Sequence, residues 1–190
     1  MPEFTSDRVD RLRTLEDDEH LVRAAQRSLD GFKALYDKWL SPVYRYFYYR
    51  VGNVKEAEDL TSQVFLKVYE ELPRYRDKGR FSAWLFTIVR NKTADYFRSP
   101  HPEISLETVD PGDRTFDLLD QTVRSDELQR LDRLIRALPE DEQELIRLRF
   151  VVQLSYRTIG AVLNRSEDAV RKNISRLLAR LQVQLEVDHD

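Results

Sequence analysis

Apolar positions recur at helical spacing along most of the chain. Between Lys55 and Leu72 they fall at Ala57, Leu60, Val64, Val68 and Leu72, three or four residues apart. Glu56, Asp59, Gln63, Lys67 and Glu70 fill the other side, so the spacing predicts an amphipathic helix that Pro73 ends. Upstream, Gly31–Arg50 reads as one or two helices rich in aromatics (Phe32, Tyr36, Trp39, Tyr44, Phe47), with a kink expected at Pro42. Gly52-Asn53 is a turn signal. Residues 74–80 read as a loop, and a helix follows from about Phe81 to Arg98 with Leu85, Ile88 and Val89 on its buried side.

The pattern breaks over residues 99–125, where Pro100, Pro102, Pro111 and Gly112 mark a linker longer than an ordinary loop. Helical spacing then resumes over Leu128–Leu138. Pro139 opens a further helix, expected to reach about Phe150, with Glu140, Asp141 and Glu142 at the positive end of its dipole. Ser155 is placed to cap a short helix over Tyr156–Leu163, and Asn164-Arg165 forms a tight turn in which Asn tolerates a left-handed backbone. Ser166 then caps a last helix through about Leu185. No segment calls for a strand and no internal repeat is evident. The expected fold is all-α: two small helical domains joined by a flexible acidic linker. The expected boundaries are 1–24 for an N-terminal extension open to disorder, 25–98 and 128–186 for the domains, and 99–127 for the linker.

The chain has 190 residues, enough for one ordinary domain or two small ones. It has no cysteine, which excludes disulfides, zinc–thiolate sites, iron–sulfur clusters and cysteine nucleophiles. No apolar run approaches the roughly 18 residues of a membrane span. The stretch Met1–Glu19 is acidic and unlike a secretory signal, so a soluble intracellular protein is expected.

Net charge is −3, but it is unevenly placed. Residues 74–98 carry seven basic groups (Arg74, Arg76, Lys78, Arg80, Arg90, Lys92, Arg98) against two acids, and residues 165–180 carry five against two. Between them, residues 99–127 carry two basic and eight acidic groups. Two basic patches separated by an acidic stretch point to a polyanion touched at two places.

The C-terminal pair of helices has the form of a helix–turn–helix. Its last helix buries Val170, Ile174, Leu177 and Leu181 and turns Asp168, Arg171, Lys172, Ser175 and Arg176 outward. Such a helix fits the DNA major groove, where Arg pairs with guanine edges and Lys holds phosphates. From spacing alone a plain helical hairpin with a solvated face stays equally open. In segment 74–98, Tyr75, Phe81, Trp84, Phe86, Tyr96 and Phe97 interleave with the charges. Basic groups can track a phosphate backbone while rings stack on exposed bases. The competing reading places rings such as Phe86 in the core. Trp84, Asn91, Asp95 and Arg98 share one face, a harder combination to assign to packing. For helix 55–72 a solvated polar face outweighs a partner dock on spacing alone. Nothing indicates an enzyme: His20, His101 and His189 form no cluster, and no phosphate loop or nucleophile elbow is present.

At these residues the chain resembles the bacterial sigma factors of the extracytoplasmic-function (group IV) type. The signatures are Ala57-Glu58-Asp59-Leu60-Thr61-Ser62-Gln63-Val64-Phe65-Leu66-Lys67-Val68-Tyr69 and Phe81-Ser82-Ala83-Trp84-Leu85-Phe86-Thr87-Ile88-Val89-Arg90-Asn91-Lys92. A third runs from Leu138-Pro139-Glu140 through Leu154-Ser155-Tyr156-Arg157-Thr158-Ile159-Gly160 to Ala169-Val170-Arg171-Lys172.

The resemblance implies a sigma region 2 helical bundle and a sigma region 4 helix–turn–helix, a transcription initiation factor and no cofactor or metal. Glu56, Asp59, Leu60, Gln63 and Phe65 would bind the clamp helices of core RNA polymerase, with a second contact at its flap. Arg76, Lys78, Arg80, Phe81, Trp84, Asn91, Lys92, Asp95, Tyr96 and Arg98 would read and melt the −10 element, a base being flipped into a pocket around Asp77–Phe81. Arg165, Ser166, Arg171, Lys172, Ser175 and Arg176 would read the −35 duplex. The implied partners are core polymerase, promoter DNA and an anti-sigma factor that could hold an otherwise cytoplasmic monomer at the membrane. The sequence departs from the family at Asn164, where Gly is common, and at the acids Glu167 and Asp168. Two competing classes are a stand-alone helix–turn–helix regulator and a helical adaptor that does not touch DNA. The strand-melting character of 74–98 disfavours the first.

Overall fold

The computed structural model describes residues 18–76, 79–99 and 126–187. The expectations for residues 1–17, for Asp77 and Lys78, and for most of the linker lie outside these. The first half contains α1 (Glu19–Ala25), α2 (Leu29–Val51), α3 (Val54–Glu71), a 3-10 turn (Leu72–Arg74) and α4 (Phe81–Arg98). The second contains α5 (Asp126–Arg136), α6 (Glu140–Ile146), a π turn (Arg147–Val151), α7 (Tyr156–Leu163) and α8 (Glu167–Val187). No strand occurs among the described residues.

Side-chain caps set several helix starts. Ser28 accepts from the Gly31 amide at 3.1 Å and Asn53 from that of Glu56 at 3.0 Å. Ser155 accepts from Thr158 at 3.1 Å and Ser166 from Ala169 at 3.2 Å. Pro42 lies inside α2, which runs unbroken. Trp39, Val43, Tyr46 and Phe47 are buried on both sides of it, and their packing outweighs the roughly 3 kcal/mol that an interior proline costs. The N-terminal element is also ordered where described: α1 packs on α2, with Val22 wholly buried. The crossing is close enough that a Cβ on Gly31 would sit 2.3 Å from the Ala24 carbonyl. Beneath it, buried Asp18 pairs with Lys38 at 2.6 Å and accepts from the Trp39 indole at 2.9 Å. Burial pushes the Asp18 carboxyl up, against the pull of Lys38 and Trp39.

The aromatic core of the first half is built on Trp39, whose ring meets Phe81 at 6.3 Å and Phe86 at 6.0 Å. The two halves do not stand apart. Leu145, Leu148, Val152, Leu154, Ile159, Val162, Val170 and Ile174 join the same apolar core as α2, α3 and α4. A smaller cluster of Ile146, Leu177 and Leu181 is covered by Leu134, Ile135 and Leu138.

At the junction the helix expected to reach Phe150 widens into the π turn, and both Glu144 and Arg147 are buried. The Tyr46 hydroxyl donates to Glu144 at 2.9 Å, Arg90 Nε donates to Glu144 at 3.0 Å and Arg147 Nε at 3.2 Å. Arg90 also donates to the Val162 carbonyl at 3.1 Å, and Arg50 pairs with Glu140 at 3.3 Å. Burial, then the Glu144 charge, drives the Tyr46 phenol up, so it stays a neutral donor.

Glu144→Ala leaves Arg147 buried with only its Glu140 and Gln143 partners, and is expected to lower unfolding free energy by about 2–4 kcal/mol. Tyr46→Phe is expected to cost about 1 kcal/mol. Denaturant unfolding of the full chain measures both, and parent-like stability of Glu144→Ala would remove the carboxylate from the structural account.

Candidate nucleic-acid and polymerase interfaces

The basic segment 74–98 forms a pocket at the head of α4. Tyr75 and Trp84 lie ring to ring at 4.5 Å with an interplanar angle of 32°. With Arg76, Arg80, Ala83 and Thr87 they line a cavity of about 230 Å³. Further along the helix, Asn91, Asp95 and Arg98 are exposed, while Lys92 and Tyr96 are half-buried. Arg98 pairs with Asp95 at 3.3 Å. Partial burial, and then the Glu56 carboxylate, pushes the Tyr96 phenol up.

Phe81 is only 2% exposed and packs on Trp39, Tyr75 and Trp84, forming the floor beneath the pocket. Arg90, counted among the basic groups, is committed to Glu144 and the Val162 carbonyl.

The helix–turn–helix rests on two tight backbone features. Asn164 adopts the left-handed conformation at φ 54°, ψ 45° that closes α7. Gly160 lies under the turn, where a Cβ would stand 2.6 Å from the Arg165 carbonyl oxygen. On α8, Val170, Ile174, Leu177 and Leu181 are buried, and Arg171, Lys172, Ser175 and Arg176 are exposed together. Arg171 pairs with Glu167 at 2.8 Å and lies 5.6 Å from the centre of the Tyr156 ring. Arg165 pairs with Asp141 at 3.1 Å, and the Ser166 hydroxyl serves as the helix cap. Sequence spacing missed Arg157, exposed in the first turn of α7, where a cation and helix amides can meet one phosphate.

On α3, Leu60 is 3% and Phe65 5% exposed, and both pack into the core. The outward stripe is Asp59, Gln63 and Leu66, spaced by four and three residues. Leu66 is 60% exposed, and Tyr69 beside it 51%. Glu56 is half-buried at the first turn. The signal for Leu66 and Tyr69 was present in the sequence as two large apolar residues on the polar side of an amphipathic helix.

Among the described residues, no group of three His, Cys, Asp or Glu side chains could hold a metal ion. No helix there is long and apolar enough to cross a membrane.

The described residues thus form a helical bundle with an aromatic-basic pocket, packed on a helix–turn–helix. Residues 35–101 match Sigma-70 region 2 and residues 128–181 match Sigma-70 region 4. The chain is 36% identical over 175 residues to the ECF RNA polymerase sigma factor BldN of Streptomyces coelicolor. That match covers 86% of this chain and 64% of BldN, so the chain spans under two thirds of that relative's length. It is 33% identical over 153 residues to the ECF RNA polymerase sigma factor SigD of Mycobacterium tuberculosis, covering 74% of this chain and 70% of SigD. The solved structure of CnrH in complex with the cytosolic domain of CnrY is 25% identical, with a TM-score of 0.62 over 91% of this chain and 99% of that one. The chain belongs to the ECF family of RNA polymerase sigma factors.

Gly160→Ala forces the turn backbone to move and is expected to lower stability by about 1–3 kcal/mol. Asn164→Gly suits the left-handed position and is expected to stay within about 0.5 kcal/mol of the parent. Thermal unfolding of both variants checks the turn, and an unperturbed Gly160→Ala would contradict the close approach.

Proposed function

We propose that this chain docks on core RNA polymerase through the α3 stripe of Asp59, Gln63 and Leu66, captures a −10 base beside Trp84 and reads the −35 duplex with α8. The observation that carries this reading is the Tyr75–Trp84 pocket, flanked by Arg76 and Arg80, at the head of the helix that also presents Asn91, Asp95 and Arg98. Ring stacking on a base is worth about 1–3 kcal/mol, comparable with the few kcal/mol needed to unstack it. The arginines supply charge beside the phosphates, and the exposed amide and carboxylate of α4 can pair with base edges. On α8, Arg171 and Arg176 face the major groove while Lys172 and Arg157 hold phosphates.

Reading both elements requires the halves to part. Elements about 25 base pairs apart lie roughly 85 Å apart at about 34 Å per helical turn. A compact chain of this length has a radius of gyration of about 16 Å, too small to reach both. Polymerase therefore supplies the frame, and two weak DNA contacts on one frame gain by effective concentration. An anti-sigma partner would act on the packed form. Support for that comes from the likeness to CnrH, whose solved structure contains the cytosolic domain of CnrY. The site of action is the cytoplasm, where polymerase and promoters lie.

The test uses purified chain, bacterial core polymerase and promoter-fork DNA. Fork capture is expected only with core present. Trp84→Ala and Asn91→Ala are expected to reduce capture about tenfold each while core affinity is kept. Arg171→Ala and Arg176→Ala are expected to weaken −35 binding and lower its salt slope by about one each. Fork capture unaffected by Trp84→Ala would refute the pocket assignment, and strong duplex binding without core would favour a stand-alone regulator.

A further inference from the structure

We infer that Gln26 is a positioning residue for promoter-base selectivity, acting by holding the Tyr75 wall of the pocket beside Trp84. This role rests on the proposed reading of that cavity as the base-capture pocket. Gln26 follows α1, and its backbone amide donates to the Val22 carbonyl at 3.0 Å. Its side-chain nitrogen donates to the Leu72 carbonyl at 2.9 Å and to the Tyr75 carbonyl at 2.7 Å. One amide group thus bridges both ends of the 3-10 turn that leads from α3 to the pocket. A primary amide suits this task because its two hydrogens diverge in one plane and can reach two acceptors at once.

The anchor is itself fixed. Asp18 ties α1 to Trp39 and Lys38, and the close approach at Gly31 leaves no room for α1 to slide. Trp39 in turn lies against Phe81, the pocket floor. The Tyr75 ring meets Phe81 at 5.9 Å, edge on, and Trp84 at 4.5 Å. The backbone position of Tyr75 therefore sets the distance between the aromatic wall and the polar groups at the rim.

Stacking accepts any base, so identity has to come from edge contacts and from the shape of the slot. A shift of the wall disturbs shape and edge geometry more than it disturbs stacking. Loss of the Gln26 bridge is thus expected to relax selectivity more than it weakens total binding.

Holoenzymes of the parent, Gln26→Met, Gln26→Lys and Trp84→Ala are compared for capture of fork DNA carrying each of the four bases at each −10 position. Methionine keeps the length and removes the donors, whereas lysine again donates to the two carbonyls. Gln26→Met is expected to lower discrimination at the captured position about tenfold, the size of a lost hydrogen-bond pair. Core affinity and −35 duplex binding are expected to stay at parent values, with the thermal midpoint down by no more than about 4 °C. Gln26→Lys is expected to restore discrimination. Parent-like discrimination by Gln26→Met overturns the inference. So does an equal loss of core binding and −35 binding, which would show a general structural role. If Trp84→Ala discriminates like the parent, the pocket reading itself fails, and that outcome is distinguishable because it does not involve Gln26.

Discussion

Glu144 lies where the two halves of the chain meet, and its charge restricts what can surround it. A carboxylate removed from water must find donors or become protonated. It finds three, and they come from different parts of the chain: Tyr46 on α2, Arg90 on α4 and Arg147 in the π turn. These contacts fix the azimuth of α6 against the first half. That placement carries Leu145 and Leu148 into the core shared with α2 and α4. The apolar contact supplies most of the attraction between the halves, and the carboxylate supplies the register. Two arginines around one acid leave net positive charge, which Glu140 offsets by pairing with both Arg50 and Arg147.

The same junction ties down part of the basic segment. Arg90 belongs by sequence to the most basic segment of the chain, yet its guanidinium is spent on Glu144 and the end of α7. The cavity of about 260 Å³ between the halves is lined by Arg50, Arg90 and Arg165, each beside an acid. Parting the halves would release these cations from fixed partners and leave the apolar faces of α6 and α7 needing a new cover. Opening is therefore unfavourable in water and becomes favourable only where another surface takes over both tasks. Such coupling suits a factor that should ignore DNA until its frame is present, because the frame's contacts are what offset the lost core.

Periodicity made the element order legible, along with the caps at Ser155 and Ser166 and the left-handed Asn164, because each depends on a few neighbouring residues. Phe81, Leu60 and Phe65 were harder to place. Each sits in a motif that the family resemblance ties to a partner; spacing does put Leu60 on the apolar side of its helix, but it does not tell a ring in the core from a ring on the surface at Phe81 or Phe65. Helix arithmetic on α3 does separate Asp59, Gln63 and Leu66 from Leu60, since the two sets lie on different faces. The π turn and the shared core were not legible. They depend on Glu144 meeting Tyr46, which is 98 residues away in the chain, and no local pattern encodes that distance.

The N-terminal element shows the same limit at closer range. α1 is short and marginal by propensity, so spacing gives it little weight. Its order comes from outside itself, through Asp18 on Trp39 and the bare Cα of Gly31. Once held there, Gln26 is delivered to carbonyls 46 and 49 residues further along. A helix too weak to form alone thus becomes a support for the aromatic pocket. Its strength as a support is borrowed from Trp39, whose ring lies against the floor of that same pocket. Anchor and floor share one side chain, so a shift of the Trp39 ring would reach the pocket from two sides at once.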